Sequence, residues 1–262
     1  MTDRSLARAG SLKVRLTDRD RQLLAFMAEH RIVLGAHVER ALSVSRARAS
    51  ARLAALASAG YVRRDPWFHR QAACHQITRQ GLAAIESDLP VPRTDLRSYR
   101  HDIGTAWLWL AAHAGTFGAL RAVVSERRMR SHDGSEQGRA EPFAVRLGGL
   151  GRGGGDCLHY PDLLLEDLLG RRFALELELT SKPRARREKI LGGYAADARI
   201  GAVLYLSDNP AVRREVSASA RRLGISYLIG VQRVSWEDRT TAPTASSARH
   251  TRVRSSCTAA AT

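Results

Sequence analysis

The run Phe173-Ala174-Leu175-Glu176-Leu177-Glu178-Leu179-Thr180 constrains the fold more than any other stretch of the chain. Alternation with a period of two is the signature of a β-strand, so Phe173, Leu175, Leu177 and Leu179 share one face and Ala174, Glu176, Glu178 and Thr180 the other. Such a strand needs neighbours. Residues 160–166 before it and 202–206 after it are apolar enough to supply them, with a tight turn near Leu169-Gly170. Helical patterns over 184–197 and 211–223 and a last strand over 225–231 complete an α/β arrangement. Two carboxylates on one strand face repel each other and are costly to bury unpaired. A hard divalent cation such as Mg²⁺ removes that cost, and Asp162, which follows Pro161 at the start of the preceding strand, completes an oxygen-ligand set with Glu176. Glu126, in Ser125-Glu126-Arg127 on what reads as a strand over 120–128, is a further candidate ligand. The alternative is pairing of Glu176 and Glu178 with Arg171, Arg172 or helix arginines.

The first part of the chain has a different pattern. Thr17 caps a helix with Asp18 and Asp20 in its first turn and an apolar face of Leu23, Leu24, Phe26 and Met27. A short helix over 35–42 follows, then a third over 46–59 with Ser45 as cap, Leu53 and Leu56 inward and Gly60 at its end. Residues 61–64 and 74–77 read as two strands around Asp65-Pro66, and Thr78 caps a fourth helix. This order predicts a winged helix-turn-helix over 16–88. The expected organisation around it is a basic arm over 1–15, a Pro-rich linker over 89–98, the α/β domain over 99–236 and a disordered tail over 237–262.

The formal net charge of +16, from 42 basic against 26 acidic residues, points to a polyanionic partner. Nucleic acid fits the pattern best. An anionic membrane would need a basic amphipathic anchor or lipidation motif, and none is present. An Arg-rich proteome explains arginine over lysine, since Lys13, Lys182 and Lys189 are the only lysines, but not the excess over acids. The third helix has no acid between Glu39 and Asp65. Its Ser45, Arg46, Arg48, Ser50 and Arg52 are candidate contacts to phosphates and base edges of double-stranded DNA, with Arg63, Arg64 and Arg70 on the hairpin. A small helical packing module with a solvated Arg face is the competing reading. Trp67 and Phe68 either stand exposed on the wing or pack on the second domain. Cys74, Cys157 and Cys257 form neither a disulfide framework nor a zinc pattern, which fits a cytoplasmic protein. No apolar run approaches the length of a membrane span.

The Pro-Asp strand followed by Glu176-x-Glu178 resembles the restriction-endonuclease-like nuclease fold, whose signature is Pro-Asp, a strand, then Asp/Glu-x-Lys. Glu178 stands where lysine is expected. The resemblance implies a metal site of Asp162 and Glu176 and, if lysine has moved, Lys182 or Lys189 as the group that stabilises charge on phosphate. Together the two regions resemble the replication-relaxation family of actinobacterial plasmids and integrative elements, through Leu16-Thr17-Asp18-Arg19-Asp20, His101-Asp102, Ser125-Glu126-Arg127, Pro161-Asp162, Glu176-x-Glu178-x-Thr180 and Lys189 with Tyr194. Membership implies DNA binding in replication, relaxation or transfer of a mobile element. The alternatives are a Mg²⁺-dependent nuclease or nickase with Asp162, Glu176, Glu178 and a lysine as its catalytic set, and a transcriptional repressor that uses the second domain to form a homodimer.

Overall fold

The structure, a computed structural model, describes residues 15–69, 71–150 and 156–235. The expected arm, the tail and Arg70 lie outside those residues, apart from Arg15. The fold is mixed α/β. Helix α1 (Asp18–Glu29) begins with a reciprocal cap: the Asp20 N–H donates to the Thr17 hydroxyl at 3.3 Å and the Thr17 N–H donates to the Asp20 carboxylate at 2.7 Å. Strand β1 (Val33–Leu34), helix α2 (Gly35–Leu42) and helix α3 (Arg46–Ser58) follow. Strands β2 (Val62–Asp65) and β3 (Cys74–Ile77) form a hairpin, with β1 on its other side, so the antiparallel order is β1-β3-β2. Gly60 turns the chain out of α3 at φ +82°, where a Cβ would be strained. Helix α4 (Arg79–Ala84) is capped by Thr78, whose hydroxyl accepts from the Gly81 N–H at 3.1 Å.

Helix α5 (Tyr99–His113) is buried on nearly every side, which explains the apolar residues all round it. Ile103, Ala106, Trp107 and Leu110 belong to the core that α1, α2, α3 and the hairpin enclose. Leu108 and Ala112 belong to a second core, with Leu163, Leu175 and Leu177. The hydrophobic core therefore runs through the expected linker. Leu89 is buried in it, Phe68 meets Tyr99 edge-on with ring centroids 4.6 Å apart, and Trp67 packs against the same cluster.

Strand β4 (Leu120–Ser125) ends where helix α6 (Glu126–Asp133) begins, capped by Ser125. Glu126 thus stands at a helix start rather than on a strand. Helix α7 (Glu136–Ala140) and a two-stranded hairpin of β5 (Val145–Leu150) and β6 (Asp156–His159) come next. The glycine content of 148–156 predicts an irregular loop. In the structure Gly148 and Gly149 lie within β5 at positive φ, at an irregularity that their lack of a Cβ permits. Strand β7 (Leu163–Asp167), strand β8 (Arg172–Leu177), helix α8 (Arg184–Ala196), strand β9 (Ile200–Ser207), helix α9 (Pro210–Arg222) and strand β10 (Ile229–Arg233) complete the chain. The five-stranded sheet has the order β10-β9-β8-β7-β4 and is mixed: β4-β7-β8 are antiparallel, β8-β9-β10 parallel. Helix α5 covers one face, and Ile190, Leu191 and Tyr194 of α8 with Val212 and Val216 of α9 cover the other.

Candidate nucleic-acid interface and buried carboxylate cluster

Helix α3 buries Ala49, Leu53 and Leu56. At 100° per residue the opposite line is Ala47, Ala51, Ala54 and Ser58, small side chains that leave the backbone open to close approach. Arg46 and Ser50 flank that line on one side and Arg48 on the other, all exposed. Arg46, Arg48 and, on the hairpin, Arg64 have no hydrogen-bond or ion-pair partner among the described residues, and Ser45 caps α3 without using its hydroxyl. Two of the expected contacts are engaged within the chain. Arg52 forms a two-pronged ion pair with the Asp20 carboxylate, which is 3% exposed, and so turns toward α1. Burial works to raise the Asp20 carboxyl, and Arg52 and Thr17 hold it below the ordinary value. Arg63 donates to Asp65 at 2.7 Å and to Gln76.

The carboxylates of the second region are buried, each with a partner from its own chain. Asp162 stands one position beyond the last β7–β8 pair, Leu163 with Leu175, and so faces Glu176 across the ladder. One Asp162 oxygen accepts from the Leu177 N–H at 2.7 Å, and the other lies 3.0 Å from His101 Nε2 on α5. The Asp162 charge pushes the His101 imidazole up to about 11, against burial. Burial in turn works to raise the Asp162 carboxyl, and His101 holds it below its ordinary value. Glu176 Oε1 takes two partners, His159 Nε2 at 2.6 Å and the Tyr194 hydroxyl. Burial, then the Glu176 charge, push the Tyr194 phenol well above its ordinary value, and Tyr205 behaves the same way. Glu178 is paired with Lys182 at the end of the strand, yet burial still raises its carboxyl.

Asp162, Glu176, Glu178 and Lys182 are therefore brought together; Glu126 adjoins Asp162, whose carbonyl accepts from the Glu126 N–H at 3.1 Å, but its carboxylate is turned to other partners, and Lys189 stands apart. Glu126 is held by Arg31 and Arg130, both at 2.8 Å. Lys189 is exposed on α8, its amine 3.6 Å from where a Cβ would stand at Gly149. None of His101, His159, Tyr194 and Tyr205 is among the site residues expected from the sequence. The one available signal was order: His101-Asp102 opening a helix and Tyr194 following Lys189.

Whether this cluster suits Mg²⁺ is decided by where the oxygens point. Asp162 and Glu176 already accept from His101, Leu177, His159 and Tyr194, and among the described residues no three His, Cys, Asp or Glu side chains are placed to hold one ion. The side chains as arranged do not converge on one ion, because both oxygens of Asp162 and one oxygen each of Glu176 and Glu178 are turned to donors of the chain itself. A cavity of about 20 Å³, room for one water, lies beside Arg31, His101, Asp102, Glu126 and Asp162.

Ion pairs tie the two regions together across this point. Arg31, just after α1, reaches Glu126 at 2.8 Å and Asp102 at 3.7 Å. Arg128 reaches Glu29 and Asp88, both at 2.8 Å, and Arg127 donates to the carbonyls of Ala28 at 3.0 Å and Pro90 at 2.6 Å. No helix among the described residues is long and apolar enough to cross a membrane. No known family, curated protein or solved structure matches the chain.

Proposed function

We propose that the chain is a double-stranded DNA-binding protein whose first region is a winged helix and reads DNA through α3. The observation that carries this reading is the outer face of α3: Ser45, Arg46, Arg48 and Ser50 stand exposed and without partners beside an alanine line, in a chain of net charge +16. An unpaired arginine meets phosphate or guanine without first breaking an internal ion pair, and a helix of small side chains sits deep in a major groove. The order helix, strand, helix, helix, hairpin supports the same reading, with Arg64 on the hairpin as a backbone contact.

For the second region the proposed fold is that of restriction endonucleases, supported by the order α5, three antiparallel strands, α8 and a parallel strand. Its role here is a scaffold that holds the DNA-binding region through α5, since the acids of the cluster are held by donors of the chain itself. The resemblance to the replication-relaxation family suggests the setting, replication, relaxation or transfer of a plasmid or integrative element. The test is fluorescence anisotropy with a labelled duplex over a salt series, alongside incubation with supercoiled plasmid and Mg²⁺ or Mn²⁺. Salt-dependent binding without nicking is expected. Nicking that disappears in Glu176→Ala would make the second region a nuclease, and absence of duplex binding would end the first proposal.

A further inference from the structure

We propose that the groove between α1, the end of α2 and the last turn of α5 binds a planar aromatic anion, and that its occupancy changes DNA affinity; the second half of this statement rests on the DNA-binding reading above. The groove encloses about 500 Å³, within the span of small-ligand sites. Leu23, Phe26, Trp109 and Leu110 supply its apolar lining. The Phe26 and Trp109 ring centroids are 5.2 Å apart, and those of Trp109 and His113 are 3.7 Å apart at an interplanar angle of 39°. Phe26 and Trp109 pack against each other, and His113, the exposed ring at the end of the row, offers a flat ligand a stacking surface. Burial holds the His113 imidazole below its ordinary value, so at neutral pH it presents an uncharged ring.

The sign of the ligand's charge follows from the rim. Among the described residues no acidic side chain lines the groove, Glu29 acting on His113 only from outside it, and Arg40, exposed at its edge, has no hydrogen-bond or ion-pair partner. A carboxylate there gains a charge-assisted contact that a cation does not.

The link to DNA binding is the turn at the groove's edge. Ser43, which lines the groove and ends α2, has φ 51° and ψ 49°, the left-handed region that costs a residue with a Cβ about 1 kcal/mol. The preceding carbonyl, Leu42, accepts from Arg19 at 2.6 Å, and two residues after Ser43 stands Ser45, the cap of α3. A ligand against Arg40 and Ser43 therefore bears on the turn that aims α3.

Calorimetric titration of the full chain with 1-naphthoate and, separately, with neutral 1-naphthalenemethanol tests this. Saturable one-to-one naphthoate binding is expected. Arg40→Gln should weaken it about tenfold while leaving the alcohol unaffected. Ala114→Phe, placed at an exposed position that lines the groove, should abolish binding of both and leave the far-ultraviolet dichroism unchanged. Absence of saturable binding up to about 1 mM, binding that survives Ala114→Phe, or equal affinity for acid and alcohol would overturn the site. Saturating naphthoate should shift duplex affinity about fivefold or more, and an unchanged affinity would overturn the coupling. A wild-type chain that takes up naphthoate and binds no duplex would fail the DNA reading alone and leave the ligand site standing.

Discussion

The arginines of α3 and the carboxylates of the five-stranded sheet are the two charged groups that sequence reading singles out, and they are in opposite situations. Arg46 and Arg48 are exposed and without partners, whereas Asp162, Glu176 and Glu178 are largely or fully buried and each is bound by a donor of the same chain. A buried charge must find a partner within the fold or lose several kcal/mol. An exposed arginine has no such obligation and can wait for one from outside. The contrast separates charges that hold the structure from charges that are offered to a ligand, and residue type alone does not make that separation. Arg52 sits one turn from Arg48 on the same helix and falls in the first class because Asp20 is beneath it.

The largest expected effect concerns whether the two regions can be parted at all. A fragment ending at Ser98 lacks Ile103, Ala106, Trp107 and Leu110, all of which are buried in the core of the first region. It should show no cooperative thermal transition, whereas the full chain should melt as one unit. A sharp melt of the fragment would show that α5 is dispensable to that core, and the contrast would then be one between independent domains.

Next in size is the loss of His101. His101→Ala leaves Asp162 with the Leu177 N–H and only the more distant charges of Lys182 and Arg31, and should cost about 2–3 kcal/mol, the low side for a buried pair because those cations remain and His101 keeps part of its surface in water. The pH dependence has a definite sign. His101 is raised from 6.5 to about 11, so its contribution is full below pH 6.5 and is lost as pH rises toward 11. Asp162 is lowered from 3.8, so its contribution is present above that value and fades in stronger acid. The stability gap between wild type and His101→Ala should therefore be widest between pH 3.8 and 6.5 and close toward pH 11. Denaturant melts at pH 5, 7 and 10 measure it. A gap independent of pH would mean that His101 acts by packing and not by charge.

Much of this was open to reading in the chain itself. The alternation over 173–180 placed Phe173, Leu175, Leu177 and Leu179 on one face, and all four lie in or against the core shared with α5. Thr17, Thr78 and the turn at Gly60 announced helix ends by local chemistry. The partners of the acids were not legible, because they come from 61, 17 and 18 residues away on three other elements. Periodicity says which face a side chain takes, but not what a distant helix or hairpin puts opposite it. Arg52 shows the same limit on a smaller scale: its helix face was readable, and the buried carboxylate 32 residues earlier was not. The linker misled for a related reason. Proline at 90 and 92 marks extended backbone, but whether the core stops there depends on where α5 packs.

Arg52→Ala tests that local case. It removes the cation from an Asp20 carboxylate that is 3% exposed, though Thr17 still donates to it, and should cost about 1–3 kcal/mol. The loss should shrink in strong acid, since Asp20 is held below its ordinary value by that pair and protonation would relieve the unpaired charge. Duplex affinity at a temperature where the variant is folded should change little. A large loss of DNA binding with unchanged stability would move Arg52 back among the DNA contacts.

The smallest effect on the fold should accompany the most specific effect on function. Arg46→Ala and Arg48→Ala remove exposed side chains without partners, so each should alter stability by less than about 0.5 kcal/mol. If each contacts one phosphate, log K should fall and its slope against log salt should lose about 0.9 per substitution. If instead either arginine pairs with a guanine edge, the loss should depend on duplex sequence, at about 1–3 kcal/mol for the site that contains it. Anisotropy titrations on a random duplex and a selected one, over the same salt series, separate the two. Equal affinity and equal slope in the double variant would mean that the free arginines of α3 are solvated and idle, and the distinction between charges that hold and charges that are offered would lose its functional half.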